Sequence, residues 1–285
     1  MALLDQKQME SISPFFGTAV GKVAGKVLKW MFNLDNFCDV YERSAANGAV
    51  GPEFAHNVLK VTDATYEVAG FEVLQGLEPP FITISNHPYG GLDGVIIVDL
   101  VGHLFPDYKV VVNKILAYME ALGPSFITVT PTGTERTAPT RESISGIRLA
   151  LQHVREGHPL GIFPSGAVSD RDRKTGIVED RPWQEPIIRV IKKAGVPVIP
   201  VRFFDGNTNF YYKLGHIDWK VRLMRLPTEV INKAGTRNRL AVGPVIPPEV
   251  IKGFEDIASL SDFLRRSVYD MPLPETFIPR DELGL

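Results

Sequence analysis

The sequence predicts an α/β fold: a mixed, mostly parallel sheet flanked by helices, with an N-terminal amphipathic helical extension. Three observations carry this expectation. Short apolar, β-branched runs recur at Phe81-Ile82-Thr83-Ile84, Tyr108-Lys109-Val110-Val111-Val112-Asn113 and Val196-Pro197-Val198-Ile199-Pro200-Val201. Runs that are apolar throughout, instead of alternating, are those buried on both faces of a parallel sheet. Segments of helical period separate them, as crossover connections require. No linker-like stretch divides the core, so the 285 residues split only into an extension, residues 1–64, and one α/β domain, residues 65–285.

In chain order, residues 15–32 have a helical pattern. At 100° per residue, Lys22, Lys26 and Lys29 share one face, and Phe16, Val20, Val23, Val27, Trp30 and Met31 share the other. Two readings stand: an interfacial helix on a membrane, or a helix packed on the domain with a solvated lysine face. Residues 35–64 read as a connection with one or two short helices, punctuated by Asn47-Gly48 and Gly51-Pro52. Residues 66–73 alternate as a strand, and Pro79-Pro80 turns the chain into the strand over 81–84. Val95 to Val101 reads as the first turns of a helix. Strands follow over 108–113 and 126–129, then a polar loop over 131–139 and a helix over 140–155 that Gly157 ends. His153 and His158 fall on a surface helix end. The strand over 160–163 leads to Pro164-Ser165-Gly166, and the mixed-charge run 170–181 reads as a mobile loop, a lid or plain solvated surface. A helix over 185–194, strands over 196–203 and 240–242, a closing helix over 248–266 and a loosely held Pro-rich tail from Pro272 complete the pattern.

Composition narrows the function classes. Hydrophobic residues make 44% and charged residues 22%, as in a globular domain. A net charge of −2 gives no general field for nucleic acid. Cys38 is the only cysteine, which excludes an intrachain disulfide and a cysteine-rich zinc site. No apolar run approaches the ~18 residues of a membrane span, and the first residues lack the pattern of a signal peptide. A cytoplasmic protein is the expectation.

The chemistry concentrates in Asn86-His87-Pro88-Tyr89-Gly90-Gly91-Leu92-Asp93-Gly94, between a strand end and a helix start. Sites in α/β sheets form at the carboxyl ends of strands. A histidine, with an ordinary pKa of about 6.5, suits a general base near neutrality. A carboxylate on its other ring nitrogen fixes the tautomer and stabilises the imidazolium. Gly90 and Gly91 permit a sharp turn, and their N–H groups near a helix start are candidates to face developing negative charge. Such a pair can take a proton from a hydroxyl or amine attacking an acyl carbonyl, with no nucleophilic Ser or Cys. The plainer alternative is a turn with Asp93 as an N-cap.

This stretch resembles the first signature block of the glycerolphosphate and lysophospholipid acyltransferase superfamily, usually Asn-His-x4-Asp. Here five residues separate His87 from Asp93. That spacing is similar to a bacterial branch often labelled hemolysin, which includes acyltransferases that make amino-acid lipids. Phe163-Pro164-Ser165-Gly166 resembles the third block, Phe-Pro-Glu-Gly, with Ser165 in place of Glu. The prolines and apolar residues of 196–201 resemble the fourth. Gly123-Pro124-Ser125-Phe126-Ile127-Thr128 matches the second block, except that Val129 replaces its Arg. The resemblance covers roughly residues 65–245, with the blocks in order.

The resemblance implies transfer of a fatty acyl group from an acyl carrier protein or CoA thioester to a small polar acceptor, with the amine of an amino acid or amino-acid lipid precursor favoured. A lysophospholipid or glycerol-phosphate hydroxyl is the alternative. It implies His87 as base, Asp93 as its partner, and Gly90, Gly91 and Gly166 as backbone donors to an oxyanion. Asn86, Phe163, Pro164 and Ser165 would line the substrate, and Arg136 or Arg141 would replace the missing cation. No metal or bound cofactor is implied, and a peripheral location on the inner face of the cell membrane is. Two rivals remain. A Ser165-His87-Asp93 hydrolase lacks the Gly-x-Ser-x-Gly elbow and its Ser-Asp-His order. A non-catalytic lipid-binding or lytic protein leaves the gathering of polar residues at strand ends without a purpose.

Overall fold

The computed structural model describes residues 18, 33–129 and 141–285. The basic face of Lys22, Lys26 and Lys29 lies outside these residues, as do Arg136 and the side chain of Arg141.

Among the described residues, two helices come first, α1 (Leu34–Ser44) and α2 (Gly51–Val61). Phe54, Ala55, Val58 and Leu59 of α2 are buried in the same apolar cluster as the sheet, so residues 34–61 pack as part of the core. Strand β1 (Glu67–Ala69) is shorter than the alternation over 66–73 predicts. Gly70 turns left-handed at φ 73°, and a Cβ there would sit 2.3 Å from the Val242 carbonyl oxygen. The chain therefore leaves the sheet and winds into α3 (Phe71–Gln75).

The remaining elements are β2 (Ile82–Ser85), α4 (Leu92–Leu104), β3 (Lys109–Asn113), β4 (Phe126–Val129), α5 (Arg141–Arg155) and β5 (Leu160–Ile162). A small hairpin follows, β6 (Asp170–Arg171) with β7 (Val178–Glu179). Next come α6 (Glu185–Ala194), β8 (Val198–Phe203), three short helices α7 (Asn209–Gly215), α8 (Trp219–Met224) and α9 (Leu226–Ile231), and β9 (Arg239–Val242). The chain closes with α10 (Pro248–Gly253), α11 (Ile257–Tyr269) and β10 (Ile278–Pro279).

Among the described residues, eight strands form one sheet in the order β10-β1-β9-β8-β2-β5-β3-β4. Strands β8, β2, β5, β3 and β4 run parallel, and β9 is antiparallel to β8. The sheet is thus mixed and mostly parallel, as expected. Two apolar clusters cover its faces. Phe81, Ile199, Val201 and Leu240 meet α2 and α4 on one side. Ile82, Ile84, Leu160 and Ile162 meet α5, α6 and α11 on the other. Every residue of β2 is buried, because it is central and covered on both faces.

Three further expectations change. The tail from Pro272 is held: β10 pairs with β1, and the buried Arg280 donates to Asp99 of α4 at 2.7 Å. Asp99 also accepts from Tyr66 and lies by His56 and His103; despite burial, these donors hold its carboxyl well below the usual range. Removing one partner of such a pair costs about 3–5 kcal/mol, which is ample to keep the tail in place. His153 is buried, its Nε2 on the Pro159 carbonyl at 3.2 Å. The closing helix breaks into two, with Asp256 capping α11 through the Ser259 N–H at 2.8 Å.

Candidate active site

His87 stands just past the carboxyl end of β2, between β8 and β5 in the parallel set. The carboxyl ends of β5 and β8 flank it, bringing Phe163-Pro164-Ser165-Gly166 and Phe203 to the same edge. The loop 86–94 is fixed almost residue by residue. Asn86 accepts from the Phe203 N–H at 2.8 Å and donates to the Phe203 carbonyl at 2.9 Å. Tyr212 donates its hydroxyl to the Pro88 carbonyl at 2.7 Å, and Asn207 donates to the Tyr89 carbonyl at 2.8 Å. Gly90 is left-handed at φ 75°, and a Cβ there would sit 2.4 Å from Val168. Only glycine fits that turn.

His87 Nδ1 lies 2.8 Å from Asp93 Oδ2. Asp93 is wholly buried and is the second residue of α4, whose N-cap is Gly91. Its Oδ2 also accepts the N–H groups of Tyr89 at 3.0 Å and Gly90 at 3.1 Å, and its Oδ1 accepts Gly94 N–H at 2.9 Å. The carboxylate therefore holds the turn and orients the ring at once. With Nδ1–H donating to a carboxylate, Nε2 carries the lone pair. Phe163 stacks on the ring at 4.2 Å between centroids and 29°, which leaves the imidazole 18% exposed.

Asp180 is the residue that sequence reasoning missed. It is buried, and its Oδ1 accepts the His87 N–H at 3.1 Å and the Ser169 hydroxyl at 2.6 Å. Its Oδ2 accepts the Trp183 indole N–H at 3.1 Å, while Ser169 N–H donates to the His87 carbonyl at 2.9 Å. The segment 170–181, expected as a mobile loop, is thus a hairpin pinned to the His87 backbone. No local pattern marks Asp180, because its partner lies 93 residues earlier.

These charges set the titration of His87. Burial pulls its pKa down, but the charge and hydrogen bond of Asp93, with Asp180 behind, carry it above the ordinary value. Burial in turn lifts the Asp180 carboxyl above its usual range against its hydrogen bonds. Asp180→Ala should destabilise the protein by on the order of 3 kcal/mol, because three donors lose their acceptor; urea unfolding reads this. Asp180→Asn keeps an acceptor for the His87 N–H and the Ser169 hydroxyl, sets its amide against the Trp183 N–H at a smaller cost than alanine, and should move the acid limb of activity to lower pH. An unmoved limb would remove Asp180 from the account of His87.

Other expected site residues have plainer duties. The Gly90 N–H is committed to Asp93 and the Gly166 N–H to the Phe163 carbonyl, so neither faces an oxyanion. Both amide ends of Asn86 tie β2 to β8 instead of lining a substrate. Ser165 is buried and donates to the Ala167 carbonyl at 2.7 Å, a bond within its own turn. The hydrolase reading therefore lacks a serine poised on the histidine. The Pro164 carbonyl accepts Gln184 N–H at 2.9 Å. Among the described residues, no group of three or more His, Cys, Asp or Glu side chains is arranged to hold a metal ion.

Comparison with known proteins adds three findings. A family described as Acyltransferase matches residues 22–272. A lyso-glycine lipid O-acyltransferase of Bacteroides thetaiotaomicron is 26% identical over 231 residues, 78% of this chain and 80% of that protein. Another with the same name, from Phocaeicola vulgatus, is 24% identical over 229 residues, 78% of each chain.

Proposed function

The chain belongs to the glycerolphosphate and lysophospholipid acyltransferase superfamily, and from that premise we propose that it moves a fatty acyl group from a thioester to an oxygen of a lyso amino-acid lipid. The observation that carries the mechanism is the His87 Nδ1 to Asp93 Oδ2 bond of 2.8 Å, on a loop held at every turn. Nε2 takes the proton of the acceptor hydroxyl as its oxygen attacks the thioester carbonyl. The C–O bond forms and the C–S bond breaks, and the imidazolium returns the proton to the departing thiolate. Asp93 keeps the ring in the tautomer that makes Nε2 the base and stabilises the imidazolium between the two steps. The first-turn N–H groups of α4, from Gly91 and Leu92, meet the negative charge on the carbonyl oxygen, since helix first turns leave such donors without intrahelical acceptors. Acyl carrier protein or CoA supplies the thioester, no resident cofactor takes part, and the protein works peripherally at the inner face of the cell membrane. Among the described residues, no helix is long and apolar enough to cross a membrane.

The acceptor is read from two positions of the family pattern in the sequence. A phosphate monoester needs a fixed cation, and Arg suits it through its bidentate fork. Val129 and Ser165 stand where the superfamily pattern has Arg and Glu. The two relatives, by their names, acylate oxygen on a lyso-glycine lipid. A hydroxyl also suits His87 better than the free amine that the sequence favoured, because an α-amine is largely protonated at neutral pH. The test offers one acyl thioester with a lyso-glycine lipid, glycine, ornithine, lysophosphatidic acid or glycerol 3-phosphate, and products are read by mass spectrometry. The expected product is the O-acylated amino-acid lipid. Efficient acylation of either phosphate, with none of the amino-acid compounds, would overturn the acceptor and leave acyl transfer standing.

A further inference from the structure

We propose that helices α7 and α8, with the tip of the β6–β7 hairpin, form a surface that seats the protein on an anionic lipid bilayer beside the active site. Exposed large apolar side chains gather there: Ile177, Phe210, Ile217, Trp219, Leu223 and Met224, with Ile217 81% exposed. Exposed apolar residues scattered singly are normal, whereas a contiguous cluster marks an interaction face. The inner faces are packed into the domain: Tyr211 and Tyr212 of α7 and Arg222 of α8 are buried. Arg222 donates to Asp170 at 2.6 Å.

The hairpin and the helices make one surface. Arg171 donates to Asn209 at 3.0 Å, His216 Nε2 meets the Arg171 carbonyl at 2.7 Å, and Arg173 donates to the His216 carbonyl at 2.6 Å. Charge decides the occupant. Arg173, Lys174 and Lys213 stand exposed among the apolar side chains. The acids Asp172 and Asp218 are turned onto backbone N–H groups of their own turns. Apolar side chains with a Trp and interspersed cations fit the boundary of acyl chains and anionic head groups. Helix α7 is tied to the catalytic loop from beneath by the Tyr212 to Pro88 bond, and Leu226, which opens α9, packs beside Gly90. The surface thus brings His87 to the plane where a lyso-lipid resides. The inference rests on the acyltransfer reading for its purpose, and its test does not.

The test measures binding of the full chain to phosphatidylcholine vesicles with and without phosphatidylglycerol. Ile217→Glu and Leu223→Glu should each weaken binding on the order of tenfold. Lys174→Ala and Lys213→Ala should each cost about fivefold with phosphatidylglycerol and nothing without it. Quenching of tryptophan fluorescence by brominated lipid should fall in Trp219→Phe. In parallel, the Ile217→Glu, Leu223→Glu double variant should acylate a detergent-dispersed lyso-glycine lipid at the parental rate and lose turnover of the same lipid embedded in vesicles. Unchanged vesicle binding in the glutamate variants, or binding lost only when residues 1–33 are removed, would overturn the surface. So would loss of turnover with acyl carrier protein at unchanged vesicle binding, which would make this a protein-docking face. Binding through these residues by a chain that acylates nothing would sink the acyltransfer reading and support the surface.

Discussion

Replacing His87 by alanine lowers acyl transfer by a factor on the order of 10²–10⁴ and leaves the protein folded. Among the described residues, the ring is the base placed at this sheet edge with Nε2 on its outer side and a carboxylate on its inner side. The fold does not depend on it. The backbone of residue 87 is held by Asp180 and Ser169 through N–H and carbonyl groups that alanine retains. Asp93 keeps three N–H donors, from Tyr89, Gly90 and Gly94, so its buried charge stays compensated. The stacking partner Phe163 loses about 1 kcal/mol of contact. Thiol release from an acyl thioester with acceptor present measures the activity, and a thermal melt measures the fold. Parental turnover in a folded His87→Ala protein would contradict the base role.

Asp93→Asn is expected to lose a comparable factor for a different reason. If the amide donates to Nδ1, the imidazole is locked with its proton on Nε2, and the base is gone. If the amide oxygen accepts from Nδ1–H instead, its nitrogen faces the Gly94 N–H, donor against donor. The neutral side chain also removes the charge that lifts the His87 pKa. The sign is definite. A base must be neutral, so activity of the parent falls as pH drops through a His87 value above about 6.5. In the Asn variant, the residual activity should fall at lower pH than in the parent. A plot of kcat/KM against pH reads both effects, and an acid limb that does not move would mean that Asp93 serves the turn and not the histidine.

The parallel strands were legible in the chain because they read as uninterrupted apolar runs, β2 and β8 being buried on both faces; β2, β3 and β8 lie where those runs are. The chain was less legible wherever a contact far away decides the outcome. Gly70 cuts a strand pattern short because the Val242 carbonyl crowds it. The tail looks loose until β1 and Asp99 are there to receive it. Helices α7 to α9 carry no clear period, because each is only six or seven residues long and buries a few side chains. The site divides the same way. His87 and Asp93 are close in sequence, and their spacing and chemistry reveal them. Asp180, Phe203, Asn207 and Tyr212 steady that loop from 90 or more residues later, through bonds that no local pattern encodes.

Direct attack by the acceptor, with no acyl-enzyme, is the central claim. Ser165 is turned to the Ala167 carbonyl, and His87 is paired with Asp93 instead of with a serine. Rapid mixing of the protein with an acyl thioester alone, followed by thiol detection and intact-protein mass, tests this most directly. The account predicts no burst of thiol and no mass gain until acceptor is added, and steady release afterwards. A stoichiometric burst without acceptor, with one acyl group retained on the protein and lost on Ser165→Ala, would contradict it.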